Sequence, residues 1–399
     1  MEVAARDPVR LRQLSVEDAE LPSPLRGIVR DLSLFGKSRG VIHRALQSTL
    51  LKARRADLRL DDIDDAAFAS DIFCDRLVHS NLHPYKLDTH SSACPPLDQV
   101  LDIHAAAKEC HNEMHPEASW NMLVHQQILA LAVSPCWVND GAVHFMPCTT
   151  TKIQPAYRRG SGAGSAKMVD PTMFIEPSFF GDNDNTAVDT TRKLLSNASI
   201  NHTDFAPLRR RPIALSIESK TTGHQLLEAE VQVGVWLAAQ WRMLESLPKR
   251  PTPELDIATN PSVAGLPSFL PAIIIQGHDW HFVATTRSRE CTTLWAKLTF
   301  GSSETVLSIK LFVCYGIWPS GPSNSIGPLS ASSHSASFLN NHQAVLAIIA
   351  PAMKAHLFFP DKSKTSKLIF WMAILGGEVC QTLKYAITFP AFISDTTFS

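Results

Sequence analysis

The stretch Arg211-Pro-Ile-Ala-Leu-Ser-Ile-Glu-Ser-Lys-Thr-Thr-Gly223 decides the reading of this chain. It has the composition of a buried strand that ends in two opposite charges, Glu218 and Lys220. Side chains alternate across a strand, so these two share one face and Ser219 takes the other. A carboxylate and an ammonium at the end of an apolar strand are costly unless paired, solvated or bound to a metal ion. Glu-x-Lys occurs once in the sequence, and by itself it is a weak signal.

Working outward, Thr221-Thr-Gly223 reads as a short turn and Gln225 to Leu247 as one long helix. Val231, Val233, Val235, Trp236, Leu237 and Trp241 make that helix apolar nearly all round, which predicts burial. Gln232 lies within this apolar stretch. It is either a structural amide bonded to the backbone or a group aimed at the polar end of the strand. Ala272 to Gln276 and Trp280 to Thr285 read as two strands joined by a turn at Gly277-His-Asp279. Leu294 to Tyr315 is assigned one further helix.

Upstream, Leu97 to about Glu113 has helical spacing. Pro116 is placed at the first position of a second helix, with Trp120, Leu123, Val124, Ile128 and Leu131 on its apolar side. Glu117 falls on that side as well. It reads equally as a first-turn acid favoured by the helix dipole or as an inward carboxylate. Val143 to Tyr157 reads as extended chain and turn, and Lys167 to Ile175 as a strand interrupted by Asp170 and Pro171. An Asp before proline is a common turn residue. Residues 177–210 read as a polar insertion, poorly ordered over 177–198, that ends in the basic run Arg209–Arg211.

The 399 residues allow more than one domain. A net charge of -1 means that any nucleic-acid binding must rest on a local patch. The opening Met1-Glu-Val-Ala-Ala lacks the apolar run of a secretory signal, and no stretch stands out as a membrane span. Eight cysteines without a Cys-x-x-Cys suggest reduced thiols, and the expectation is an intracellular protein, cytoplasmic or nuclear. His104, His111 and His115 have no partnering cysteine pair, so no zinc site is assigned to them. Residues 1–95 are set apart as a helical, partly disordered region, with helices within Ile28 to Leu51 and a linker over 80–96. No Asp, Glu, Lys or Arg occurs between Lys310 and Lys354, and residues 316–399 are read as a low-complexity tail.

The order helix, strand, strand, strand, helix, strand, strand, with acids at Glu117, Asp170 and Glu218, resembles the PD-(D/E)XK nuclease superfamily over roughly residues 97–315. It is similar in particular to fungal proteins with a PD-(D/E)XK nuclease-like domain. The residues that carry this likeness are Cys110; Pro116-Glu-Ala-Ser-Trp-Asn121 with Val124-His125; Val169-Asp170; Ser199-Ile-Asn-His-Thr203; Pro207-Leu208; Arg211 to Lys220; Ala229; Gln232-Val-Gly-Val-Trp236; and Ala239-Gln-Trp241.

The resemblance implies an α/β, restriction-endonuclease-like αβββαβ core, a central mixed sheet flanked by helices. It implies that Asp170, Glu218 and the Ser219 carbonyl hold Mg²⁺ or Mn²⁺, and that Lys220 positions the attacking water. Glu117 would orient Lys220 or reach a second metal through water, and Gln232 would position water or phosphate. Arg209–Arg211, and Lys249 with Arg250, could meet a DNA or RNA backbone, although a solvated loop suits the last two better. Pro171 stands where the family tends to carry an aromatic, which predicts a distorted strand at Asp170. Beside a metal-dependent nuclease stand two other readings. One is a nuclease-fold module without catalysis that binds nucleic acid or protein. The other is a scaffold in which the Glu-x-Lys is accidental.

Overall fold

A computed structural model describes residues 8–38, 42, 44, 47–68, 97–133, 143–158, 169–180, 182–223, 226–247, 266–288 and 291–309. Its centre is a seven-stranded mixed sheet: β1 (Val9–Gln13), β2 (Val143–Pro147), β3 (Pro171–Ile175), β4 (Ile213–Lys220), β5 (Leu270–Gln276), β6 (Asp279–Ser288) and β7 (Cys291–Ser302). The spatial order is β1-β7-β6-β5-β4-β3-β2. β4 and β5 run parallel, as do β1 and β7, and the other neighbours are antiparallel. The helices are α1 (Ser23–Phe35), α2 (Gln47–Arg54), α3 (Leu97–Asn112), α4, α5 (Asp182–Lys193) and α6 (Leu226–Ser246). α4 is continuous in three parts, Glu117–Trp120, a π-helical turn Asn121–His125, and Gln126–Ala132. This is an α/β restriction-endonuclease-like architecture, a mixed sheet flanked by helices.

β4 and β5 are buried along nearly their whole length because both their faces are covered, as expected of a parallel pair joined through a helix. That helix, α6, makes the crossover and buries twelve of its residues. Three side chains fix its register on the sheet. Gln240 Nε2 donates to the Ile213 carbonyl at 3.1 Å, Trp236 Nε1 to Ser216 Oγ at 2.9 Å, and Trp241 Nε1 to Thr285 Oγ1 at 3.0 Å. Gly234 is the point of closest approach to β1, where a Cβ would press on Val9 Cγ1 at 2.9 Å.

Four expectations need correction. The helix expected within Leu294 to Tyr315 begins only at 306: residues 306–309 are helical, whereas Leu294 to Ser302 is strand, with Thr292, Leu294 and Ala296 alternating toward the interior. Residues 310–315 lie outside the described residues. The insertion at 177–198 is ordered and contains α5. Its acids Asp182 and Asp184 sit in the first turn and Arg192 and Lys193 in the last, where each suits the helix dipole. Asp189 adds ion pairs to Arg192 and Lys193. The strand expected from Lys167 begins only at Pro171, and 167–168 are outside the described residues. Pro116 is the N-cap of α4, one position before its expected place.

The first 95 residues also hold a feature that the sequence reading did not separate: β1 pairs parallel with β7 from Val9↔Thr292 to Gln13↔Ala296. Helices do fall within 23–54. The expected linker at 80–96 and the tail from 316 lie outside the described residues.

Candidate active site

The site forms at the end of β4, where the strand leaves the sheet. Ser216, Glu218 and Lys220 share the face that carries Trp236, so Glu218 points under α6 and is 1% exposed. The opposite face presents Ser219. On the neighbouring strand Thr172 pairs with Ser216, and Asp170, two residues before it, lies close enough for its charge to act on the Glu218 carboxyl. Pro171 opens β3, the first-residue position that proline tolerates, and pairs with Pro147 across the sheet. Asp170 is a bend just outside the strand. Its N–H still donates to the Ile217 carbonyl at 3.0 Å, and its carbonyl accepts from the Cys148 N–H at 2.9 Å. The distortion expected from Pro171 thus ends the strand without detaching Asp170 from β4.

Asp170 Oδ2 accepts two hydrogen bonds from Ser219, from the N–H at 2.9 Å and from Oγ at 2.5 Å. Lys220 Nζ donates to Glu218 Oε1 and to the Ser219 carbonyl, the latter at 3.0 Å. It also stands 3.7 Å from Glu117 Oε2. Glu117 comes from the first turn of α4, so one helix and one strand meet at a single ammonium. The other oxygen of Glu218, Oε2, is buried without a hydrogen-bond partner.

The electrostatics follow from this crowding. Burial is the largest influence on Glu218. Together with the Asp170 charge it outweighs the Lys220 contact and pushes the carboxyl up to about 8. Burial also lifts Glu117, aided by Asp170. For Lys220 burial works downward, but Glu218, Glu117 and Asp170 outweigh it and hold the ammonium's pKa up. The cluster therefore retains protons and lacks positive charge.

Gln232 is half-buried in α6. Gln240 and Trp236 anchor over Ile213 and Ser216, one helical turn and three strand residues apart. The next turn back carries Gln232 along the same line toward Glu218 and Lys220. Its position thus fits a group facing the cleft.

Glu228, one further turn back and exposed, adds to the acidity around Glu117 and was missed in the sequence. Its i−4 spacing from Gln232 was the available signal. Cys148 was missed as well. It is buried, its Sγ donates to the Asp170 carbonyl at 2.9 Å, and burial pushes its thiol far up.

Arg209, Arg210 and Arg211 do not join the site. They precede β4 at the end away from Lys220, beyond a strand that rises ~3.3 Å per residue from Ile213 to Lys220. Arg211 pairs with Glu176, Arg210 with Asn185 and Asp189, and Arg209 with the Asp204 carbonyl. Lys249 and Arg250 lie outside the described residues. The Ser199–Thr203 motif is a buried polar knot rather than a reacting group. Asn201 donates to the Leu208 and Arg211 carbonyls and accepts from the Ile213 N–H, which fixes the start of β4.

Whether these groups suit a metal ion can be judged from the donors. Glu218, Asp170 and the Ser219 carbonyl are all oxygen, the set a hard divalent ion prefers, and Glu218 Oε2 is a buried acceptor with nothing to accept from. Among the described residues, no three His, Cys, Asp or Glu side chains are gathered in a ready metal cluster. The fit is to an ion that takes two carboxylates and a carbonyl and keeps its own waters.

Comparison with known proteins adds the last element. No curated protein and no solved structure matches the chain. A family model does, over residues 62–314, and its description is the PD-(D/E)XK nuclease superfamily. Since that match covers more than half of the chain and includes every residue of the site, the protein belongs to the PD-(D/E)XK nuclease superfamily.

Proposed function

We propose that this chain hydrolyses phosphodiester bonds in DNA or RNA with Mg²⁺ or Mn²⁺ as its cofactor. The observation that carries this reading is the meeting of Glu117, Asp170 and Glu218 around Lys220 at the end of β4. A bound divalent ion would supply positive charge to the phosphate and lower the pKa of a coordinated water. Asp170, Glu218 and the Ser219 carbonyl would hold it. The Lys220 ammonium would orient the water and stabilise charge on the scissile phosphate. Glu117 would keep Lys220 protonated and turned into the cleft. Gln232 would steady water or phosphate from the α6 side. An intracellular setting, cytoplasmic or nuclear, and fungal relatives belong to the same reading. No helix among the described residues is long and apolar enough to cross a membrane.

One observation favours a second reading, a nuclease-fold module that binds nucleic acid or protein without cutting. Lys220 Nζ occupies Glu218 Oε1 and the Ser219 carbonyl, two groups assigned to the metal. The test is cleavage of single-stranded DNA, double-stranded DNA and RNA with Mg²⁺, Mn²⁺ or EDTA. Metal-dependent cleavage that Lys220→Ala abolishes supports the nuclease. Binding without cleavage, and no rise in Tm with either ion, supports the module.

A further inference from the structure

The motif Asn121 with His125 has no part in the chemistry above, yet it touches the strand end that carries Lys220. His125 is 1% exposed. Its ring stacks on Trp120 at 5.7 Å between centroids and meets Trp280 edge-on at 5.9 Å. Nε2 lies 3.0 Å from the Gly277 carbonyl, and Nδ1 faces the Asn121 side-chain amide, whose oxygen stands 3.0 Å away; with Nε2–H as the donor Nδ1 can only accept, so the amide turns its NH2 to the ring. Burial, the largest influence on the imidazole, holds its pKa down at about 4, so at neutral pH the neutral ring donates Nε2–H to Gly277. Gly277 in turn donates its own N–H to the Lys220 carbonyl at 2.8 Å. An unbroken chain of hydrogen bonds thus runs from α4 through the β5–β6 turn to the backbone of Lys220.

Two backbone features serve this contact. Eight residues of regular α-helix would turn His125 about 80° away from Glu117. The π-helical turn at Asn121–His125 takes up one extra residue and cancels most of that rotation. Glu117 and His125 then share the face of α4 that meets the end of β4. Gly277 has φ of 57°, a left-handed value suited to glycine, and a Cβ there would collide with Thr222 Cγ2.

We propose that His125 is a positioning residue: through Gly277 it locks the backbone of Lys220 against α4, which sets the distance between the Lys220 ammonium and Glu117. The proposal rests on the nuclease reading for its effect on rate, but the lock can be observed without activity. His125→Phe keeps the ring between Trp120 and Trp280 and removes the donor. His125→Asn is too short to reach Gly277. His125→Gln can still donate to it.

The lock is read by amide hydrogen exchange. The Gly277 amide should exchange at least ~10-fold faster in His125→Phe, while Ile274 and Phe282 in the sheet interior keep wild-type protection. With the DNA or RNA that wild type cuts in Mn²⁺, kcat should fall at least ~10-fold at a KM within about twofold of wild type. His125→Gln should restore both.

A folded His125→Phe with wild-type exchange at Gly277, or with faster exchange and unchanged kcat, overturns the proposal. If His125→Phe does not fold, His125→Asn is held to the same two criteria. Wild type that cuts nothing and shows no Mn²⁺ response refutes the nuclease reading and with it the effect on rate. The exchange of Gly277 then still decides whether the lock exists.

Discussion

Glu218 is a buried acid, and its burial should be measurable as a pH-dependent loss of stability. In the unfolded chain the carboxyl titrates near 4.5, and in the folded protein burial and Asp170 carry it to about 8. Between these values the folded protein keeps a proton that the unfolded chain has lost. The contribution is therefore complete below pH 4.5 and disappears as pH rises through 8. At about 1.4 kcal/mol per pH unit, the interval from 4.5 to about 8 sets a ceiling of about 5 kcal/mol. Sharing of the proton with Lys220 makes a few kcal/mol the working expectation. The perturbation is Glu218→Gln, which keeps the shape and an acceptor for Lys220 but cannot ionise. Urea unfolding in EDTA at pH 5, 6.5 and 8 gives the stability of both proteins. Wild type should lose stability relative to Glu218→Gln across this range, and taking the difference removes groups that do not touch Glu218. A bound cation favours the ionised carboxylate, so Mn²⁺ should raise the wild-type Tm more at pH 8 than at pH 6, and not in the variant. Parallel pH profiles for the two proteins in EDTA would refute the claim that Glu218 is held neutral by burial.

Three further outcomes are expected. Lys220→Ala should abolish metal-dependent cleavage with little loss of fold. It should also leave the Mn²⁺-induced rise in Tm intact or larger, because it removes a cation from Glu218 and Ser219. Asp170→Asn should reduce that rise by removing a metal-binding carboxylate, and it should cost about 1–3 kcal/mol in denaturant, since a charge-assisted acceptor for two Ser219 donors is lost. Asn201→Ala should destabilise the chain by about 2–4 kcal/mol in urea, because the Leu208 and Arg211 carbonyls and the Ile213 N–H lose one shared partner.

The parts of this fold that could be read from sequence are those where a local pattern and the tertiary environment agree. Ile213 to Ile217 is apolar or small because both faces are covered, and the same logic exposes the Glu218–Lys220 pair as a misfit. The α6 register makes Gln232 an inward group by the same helical repeat that buries Trp236. Where the reading failed, the deciding information was not local. Val9–Gln13 is five residues with two arginines, and only pairing to β7 makes it a strand. α5 has almost no apolar face beyond Val188, which is buried in the core, and Arg210, far along the chain, reaches its Asn185 and Asp189. Asp170 was seen as either a turn residue or a ligand and is in fact at a turn beside β4; its backbone bond to Ile217 and its side-chain bonds from Ser219 hold it near Glu218. Glu228 was passed over because a first-turn glutamate is ordinary. Nothing in its surroundings on the chain announces that α4 ends nearby.

The arrangement also explains why a protein of this composition keeps an unsatisfied buried oxygen. A native interior rarely leaves a polar atom without a partner, and Glu218 Oε2 is one of the exceptions among the described residues. The β4–β5 pair and α6 would be more stable with an apolar residue at position 218, since replacing a buried charge by a well-packed side chain is often neutral or favourable. The acid is tolerated because Lys220 holds one of its oxygens and because its proton neutralises it near neutral pH. Both arrangements are reversible. A cation that displaced the ammonium and the proton would convert a destabilising group into a ligand, and Lys220, tethered by Gly277 and attracted by Glu117, would stay within reach of the bound phosphate. On this view the same burial that weakens the fold without metal sharpens the response to it. The nuclease reading thus requires stability and metal affinity to change in opposite directions at Glu218: a substitution that raises the first must lower the second.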